Sequence, residues 1–157
     1  MGKIGFILRA SDAPATAGAY VLWLRLDAAR EVRAGKSATR LAAGDYLYCG
    51  SAKGPGGLRA RLARHMRREK RAHWHVDQLT AAGRVLGAFI LEGGSECALN
   101  AALEALPAPA PGFGSSGCPR CAAHLRAFPV SAALPSAWEN ARKTAESRLL
   151  RAGGAAE

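Results

Sequence analysis

A chain of 157 residues holds one domain with tails, and folding at that length buries roughly two-thirds of the unfolded surface. A hydrophobic fraction of 49% argues against a disordered polymer, although alanine supplies much of it. The formal charge of +10 leaves two readings, solvated basic faces or a polyanionic partner such as nucleic acid.

Clustering favours the second reading. Seven basic residues fall between Arg59 and Arg71, against one acid, Glu69. The apolar run Ile4–Leu8 contains Gly5 and is too short for a signal segment or a spanning helix, so a cytoplasmic protein with no membrane partner is expected. In a reducing compartment Cys49, Cys97, Cys118 and Cys121 are expected as thiols or metal ligands.

In chain order, residues 1–17 read as an N-terminal arm, with "RASDAPATA" (9–17) a mobile loop. "GAYVLWLRL" (18–26) reads as a buried strand, 27–43 as a polar basic connection, and "GDYLYCG" (44–50) as a second strand pairing with the first. "SAKGPGG" (51–57) is a loop; Leu58, Leu62 and Met66 then mark the apolar stripe of a helix over 58–71. A second helix is expected over 73–83 with Gly83 as its stop, a third strand over 85–92, and a helix over 95–106, "SECALNAALEAL", capped by Ser95. Residues 107–121 read as a loop and 124–130 as an edge strand. "PSAWENARKTAESRLL" (135–150) reads as a terminal helix, with Ser136 and Glu139 as a capping box and a disordered tail from Gly153. The expected fold is α+β: a mostly antiparallel three-stranded central sheet flanked by helices in a domain over 18–130, followed by a C-terminal helix within 131–157.

The glycine loop is not a phosphate cradle of a familiar kind. No Lys-Ser/Thr follows the glycines, and this loop has no G-x-G-x-x-G. Gly50, Gly54, Gly56 and Gly57 are better read as a sharp turn into the helix.

"GAY" (18–20) lies on the first strand and "YCG" (48–50) on the second; Arg61 and His65 follow on one helix flank, and Glu96 opens a later helix. This ordered set resembles the GIY-YIG nuclease superfamily. The resemblance runs through "YCGSAKGPGGLRARLARH" and covers roughly residues 18–105. It is closest to the Uri-type endonuclease branch, to which "HWHVDQL", "ECAL" and "GFGSSGC" are also similar. The chain differs from the wider family in the 27 residues between Tyr20 and Tyr48, and in the segment "GFGSSGCPRCAAHL".

The resemblance implies hydrolysis of a phosphodiester bond, with DNA the expected substrate and one Mg²⁺ or Mn²⁺ as cofactor. It implies that Tyr20 orients or deprotonates the attacking water, that Tyr48 supports the phosphate, that Arg61 stabilises the developing charge, and that Glu96 holds the metal. His65 falls where some members carry a site histidine, and is a rival base because its ordinary pKa lies nearer neutrality. Charge stabilisation by an arginine and a hard cation suits this chemistry on general grounds. Each residue has an ordinary alternative: the tyrosines as core, Arg61 as a surface arginine, Glu96 as a helix-dipole partner. The alternative function is a nucleic-acid-binding module with weak or lost catalysis, with or without a structural zinc site.

Arg59, Arg64 and Arg68 are candidate phosphate contacts, joined by His73 and His75, with Arg30, Arg33, Lys36 and Arg40 of the long connection as further contacts. Trp74 is either packed inward or stacked on a base, and Asp77 is a candidate to orient a histidine. Cys118 and Cys121 have the spacing of half a zinc site, which His124 or Cys97 completes.

Overall fold

A computed structural model describes residues 3–67, 69–72, 74–115 and 121–155. The three long apolar runs become the centre of a sheet. They are β2 (Gly18–Leu26), β5 (Gly44–Ala52) and β6 (Arg84–Glu92), with β1 (Gly5–Ile7) and β7 (Leu125–Ala127) on the edges. The order is β1-β6-β2-β5-β7, and every pairing is antiparallel. The α+β class therefore stands, but the sheet has five strands rather than three. β7 lies inside the expected edge strand; β1 turns part of the expected arm into sheet, because Phe6 packs against Phe89 across from it.

The connection 27–43 also holds structure. β3 (Arg30–Ala34) and β4 (Ser37–Leu41) form a separate hairpin, anchored by buried Val32 and Leu41. Its exposed charges, including the facing pair Glu31 and Arg40, conceal an alternating strand pattern.

Successive strand residues point to opposite faces, and both faces are covered. On one face Tyr20, Leu22, Leu24 and Tyr48 pack with Leu58 and Leu62 of α1 (Gly57–Met66) and Leu79 of α2 (Asp77–Ala82). On the other, Val21, Leu47, Cys49 and Phe89 pack with Leu99 of α3 (Glu96–Ala102) and Trp138 of α4 (Ser136–Ala155). Double coverage explains why β2 reads as a continuous apolar run.

The helices are shorter than expected at three ends. α1 stops at Met66, where the stripe ends: Arg67 is extended, and Lys70 Nζ returns to the carbonyls of Arg64 and His65 at 3.1 and 2.8 Å. α2 starts at Asp77, whose Oδ2 accepts from the backbone N–H of Trp74 at 2.9 Å, so residues 74–76 form a turn. α3 ends at Ala102; its cap is the expected Ser95, whose hydroxyl accepts from the Ala98 N–H at 3.4 Å. α4 differs in the other direction and continues to Ala155, through the segment read as a tail. Its Glu139 bonds to Arg142 at 2.7 Å.

Candidate active site

The turn into α1 brings the helix back over the β2–β5 pair. Gly56 and Gly57 both have positive φ, 82° and 57°, which a glycine adopts without strain. Leu58 and Leu62 then face the sheet, and His65 follows onto the same side. Tyr20 is opposite Gly50 in register, and its phenol lies over that glycine: a Cβ at Gly50 would sit 2.4 Å from Tyr20 Oη. The glycine of "YCG" thus makes room for the tyrosine of "GAY".

Tyr20 Oη and His65 Nε2 are hydrogen-bonded at 2.6 Å in the interior, with 2% and 1% of the two residues exposed. His65 Nδ1 has no hydrogen-bond partner among the described residues. Burial raises the Tyr20 phenol well above its ordinary value, Tyr48 adds to this, and the neighbouring Arg61 guanidinium opposes it. Burial also pushes His65 down to about 3, with Lys70 adding to the effect and Asp77 opposing it. The pair is therefore a neutral phenol bonded to a neutral imidazole at physiological pH.

Arg61 bonds through Nη1 to the Ser51 carbonyl at 3.1 Å and lies 4.4 Å from the Trp74 ring centre. Arg64 lies 4.2 Å from the same ring. Two guanidinium groups thus share one indole, and Trp74 is half-buried among them. Arg64 makes a two-pronged ion pair with Asp77, at 2.8 and 3.0 Å, and the Asp77 side chain is 1% exposed. This assigns Arg64 and Asp77 to each other: Arg64 braces α1 against α2 instead of reaching outward.

Tyr48 is likewise buried, at 6% exposure. Burial raises its phenol above the ordinary value, and the Glu96 carboxylate is the next cause. Phe113 meets Tyr48 edge-on, with ring centres 6.1 Å apart. Gly114 has φ +75°, and a Cβ there would be 2.5 Å from Tyr48 Cε2. Its N–H donates to His75 Nδ1 at 2.8 Å, so a neutral His75 carries its proton on Nε2. The "GFG" loop therefore acts as a wall of the tyrosine cluster. That role depends on a contact between residues far apart in sequence; the glycine pair around Phe113 was its only local signal.

The Glu96 side chain is 31% exposed, and its Oε2 lies 3.8 Å from Nδ1 of the buried His124. Cys97, Cys121 and His124 gather beside it, their ligand atoms all within 4.8 Å of one another. Of the other candidates, Arg59 donates from Nε to the Ala13 carbonyl at 2.8 Å. Arg30, Arg33, Lys36 and Arg40 are exposed on the β3–β4 hairpin. Arg68, His73 and Cys118 lie outside the described residues. Among the described residues no helix is long and apolar enough to cross a membrane.

No curated protein and no solved structure matches the chain. The family described as "Domain of unknown function DUF123" matches residues 19–147. That span runs from β2 well into α4 and takes in the Tyr20–His65 pair and the thiol cluster alike, and the chain belongs to the DUF123 family.

Proposed function

We infer that this protein is a metal-dependent endonuclease-like hydrolase acting on nucleic acid, with DNA the expected substrate. The observation that carries the reading is the 2.6 Å Tyr20–His65 bond with the Arg61 guanidinium beside it. A phenol is a poor base with its proton in place, because its ordinary pKa is about 10. The 2.6 Å bond to His65 Nε2 fixes the phenol in place, so that its oxygen can orient a water molecule by hydrogen bonding. Tyr20 is then the group that orients the attacking water, and Arg61 balances the negative charge that gathers on the attacked phosphate. Tyr48 and the Gly114 loop hold the opposite wall.

Glu96 offers one hard oxygen donor with partial exposure, which fits a Mg²⁺ or Mn²⁺ ion that keeps most of its waters. Such an ion supplies Lewis-acid stabilisation of the phosphate. The charge of +10 supports a polyanionic substrate.

A binding module without catalysis is the second reading, favoured by the burial of Tyr20 and Tyr48, 2% and 6% exposed, which leaves little room for a substrate at their oxygens. Single-turnover cleavage of labelled DNA and RNA, linear and branched, with Mg²⁺ or Mn²⁺, separates the two. Arg61→Ala should slow cleavage at least about a hundredfold, the loss of roughly 3–4 kcal/mol of charge stabilisation. Glu96→Ala should abolish metal-dependent turnover and leave binding in place. If both variants fold by circular dichroism and cut at the parent rate, the site is misassigned. If the parent cuts nothing in the panel while binding it, the second reading replaces the first.

A further inference from the structure

We propose that Cys97, Cys121 and His124 bind a zinc ion that pins the first turn of α3 to the loop entering β7. The site borders the proposed nuclease centre at Glu96, but its own donor set stands whether or not the chain cleaves nucleic acid.

The donor set comes first. Two thiolates and one imidazole are soft-to-borderline ligands that favour zinc over magnesium or calcium. The three ligand atoms lie within 4.8 Å of one another. Around a tetrahedral zinc, such atoms stand roughly 3.5–3.8 Å apart. Closing that gap takes side-chain rotation on the order of 1 Å, with no movement of the backbone.

His124 provides the second, independent observation. It is 1% exposed, and neither ring nitrogen has a hydrogen-bond partner among the described residues. A buried imidazole without a partner is rare and calls for an explanation. Its backbone, by contrast, is fully tied: His124 N–H donates to Phe113 O at 2.8 Å, and His124 O accepts from Cys49 N–H at 2.9 Å. The fold thus holds the ring in place before any ion arrives. A ligating nitrogen satisfies half of the unmet demand. Glu96 Oε2, 3.8 Å from Nδ1, is then the nearby carboxylate that commonly orients a metal-bound imidazole.

Access is the third point. A surface cavity of ≈ 480 Å³ is lined by Ser95, Cys97, Cys121 and Arg126, so an ion reaches the thiols without opening the core. Among the described residues these three ligands fill three of the four tetrahedral positions. Cys97 lies on α3 and the other two ligands lie 24 and 27 residues later, so the ion closes a long loop that the sheet alone fixes only at β7.

The test uses cobalt as the probe on the intact chain. Metal-free protein is titrated with Co²⁺ without oxygen and followed by visible and near-ultraviolet absorption. Tetrahedral thiolate ligation predicts d–d bands and a sulfur-to-cobalt charge-transfer band saturating at about one equivalent and bleached by Zn²⁺. Cys97→Ser and Cys121→Ser should each lower the charge-transfer intensity, because each removes one sulfur ligand. Elemental analysis of protein purified with zinc should give about one ion per chain. The wild-type titration does not depend on any variant folding. Folded wild-type protein that develops no charge-transfer band overturns the site. So does a spectrum unchanged when Cys97 and Cys121 are both replaced.

Discussion

His65 gives the sharpest physical prediction, because its position dictates a stability profile with pH. In the fold the imidazole is enclosed by Tyr20, Trp74 and the cations Arg61, Arg64 and Lys70, with Asp77 the one opposing charge named among its causes. Burial is the largest cause, and the folded value falls to about 3. An unfolded chain protonates the same ring near its ordinary value of about 6.5. The folded value lies below the unfolded one, so the unfolded state binds more protons between them and stability falls as pH falls. The contribution is fully present above about pH 6.5 and is lost progressively toward pH 3. From pH 7 to pH 5 the loss is about 2 kcal/mol, from the logarithm of the ratio of bound fractions. The carboxylates with lowered values, Asp45 and Glu139, lose their stabilising charge at more acid pH and leave this window to histidine. Urea unfolding at half-unit pH steps measures the effect. His65→Gln keeps a polar atom near the Nε2 position but cannot titrate, so its profile from pH 7 to 5 should be flatter by the same ~2 kcal/mol. Equal slopes for parent and variant would refute the reasoning.

Arg64→Ala removes the two-pronged ion pair to the buried Asp77 carboxylate, 1% exposed at its side chain; urea denaturation should show a loss of about 3–5 kcal/mol, and a loss under about 1 kcal/mol would mean the pair is not structural. Gly114→Ala places a methyl 2.5 Å from Tyr48 at φ +75°, which should cost about 1–3 kcal/mol and lower the melting temperature; an unchanged melting temperature would remove the Gly114 loop from the wall of the site. Arg59 and Arg67 are exposed, and replacing both with alanine should reduce the salt slope of DNA binding by roughly two; an unchanged slope moves the contact surface away from α1.

The parts of the fold legible in the sequence are those that local chemistry decides. β2, β5 and β6 carry long apolar runs, because α-helices cover both sides of the sheet, and Ser95 is a cap that needs only its own helix. β1, three residues long, is too short for a pattern and exists only through β6, whereas β7 falls inside the edge strand read over 124–130 and pairs with β5. The β3–β4 hairpin hides for a different reason: Val32 and Leu41 alternate correctly, but charged neighbours on the exposed face outweigh them in any composition reading. The end of α1 was overestimated since arginine and lysine are good helix formers. Lys70 decides the matter by folding back onto the last carbonyls, a contact outside the helix pattern. In the site, the spacing of Arg61 and His65 places them on one flank, but only the register Tyr20↔Gly50 shows that His65 meets a phenol. Arg64 is three residues from Arg61 and reads the same in sequence; Asp77, thirteen residues away, gives it a different task.

The first turn of α3 is where the two proposals meet, and helix geometry keeps them apart. Glu96 and Cys97 are adjacent, and adjacent helical residues point about 100° away from each other. One step along the helix therefore parts a hard carboxylate from a soft thiol, and the thiol lies with Cys121. A magnesium ion gains little from sulfur, and a zinc ion gains most from it, so the two donors sort the two metals by chemistry rather than by affinity alone. His124 ties them together, with its ring among the thiols and its Nδ1 3.8 Å from Glu96 Oε2. Zinc on one side would fix the direction of the carboxylate on the other. That arrangement gives the α3 cap a reason to be rigid: a single carboxylate holding a well-hydrated ion has no other ligand to correct its aim.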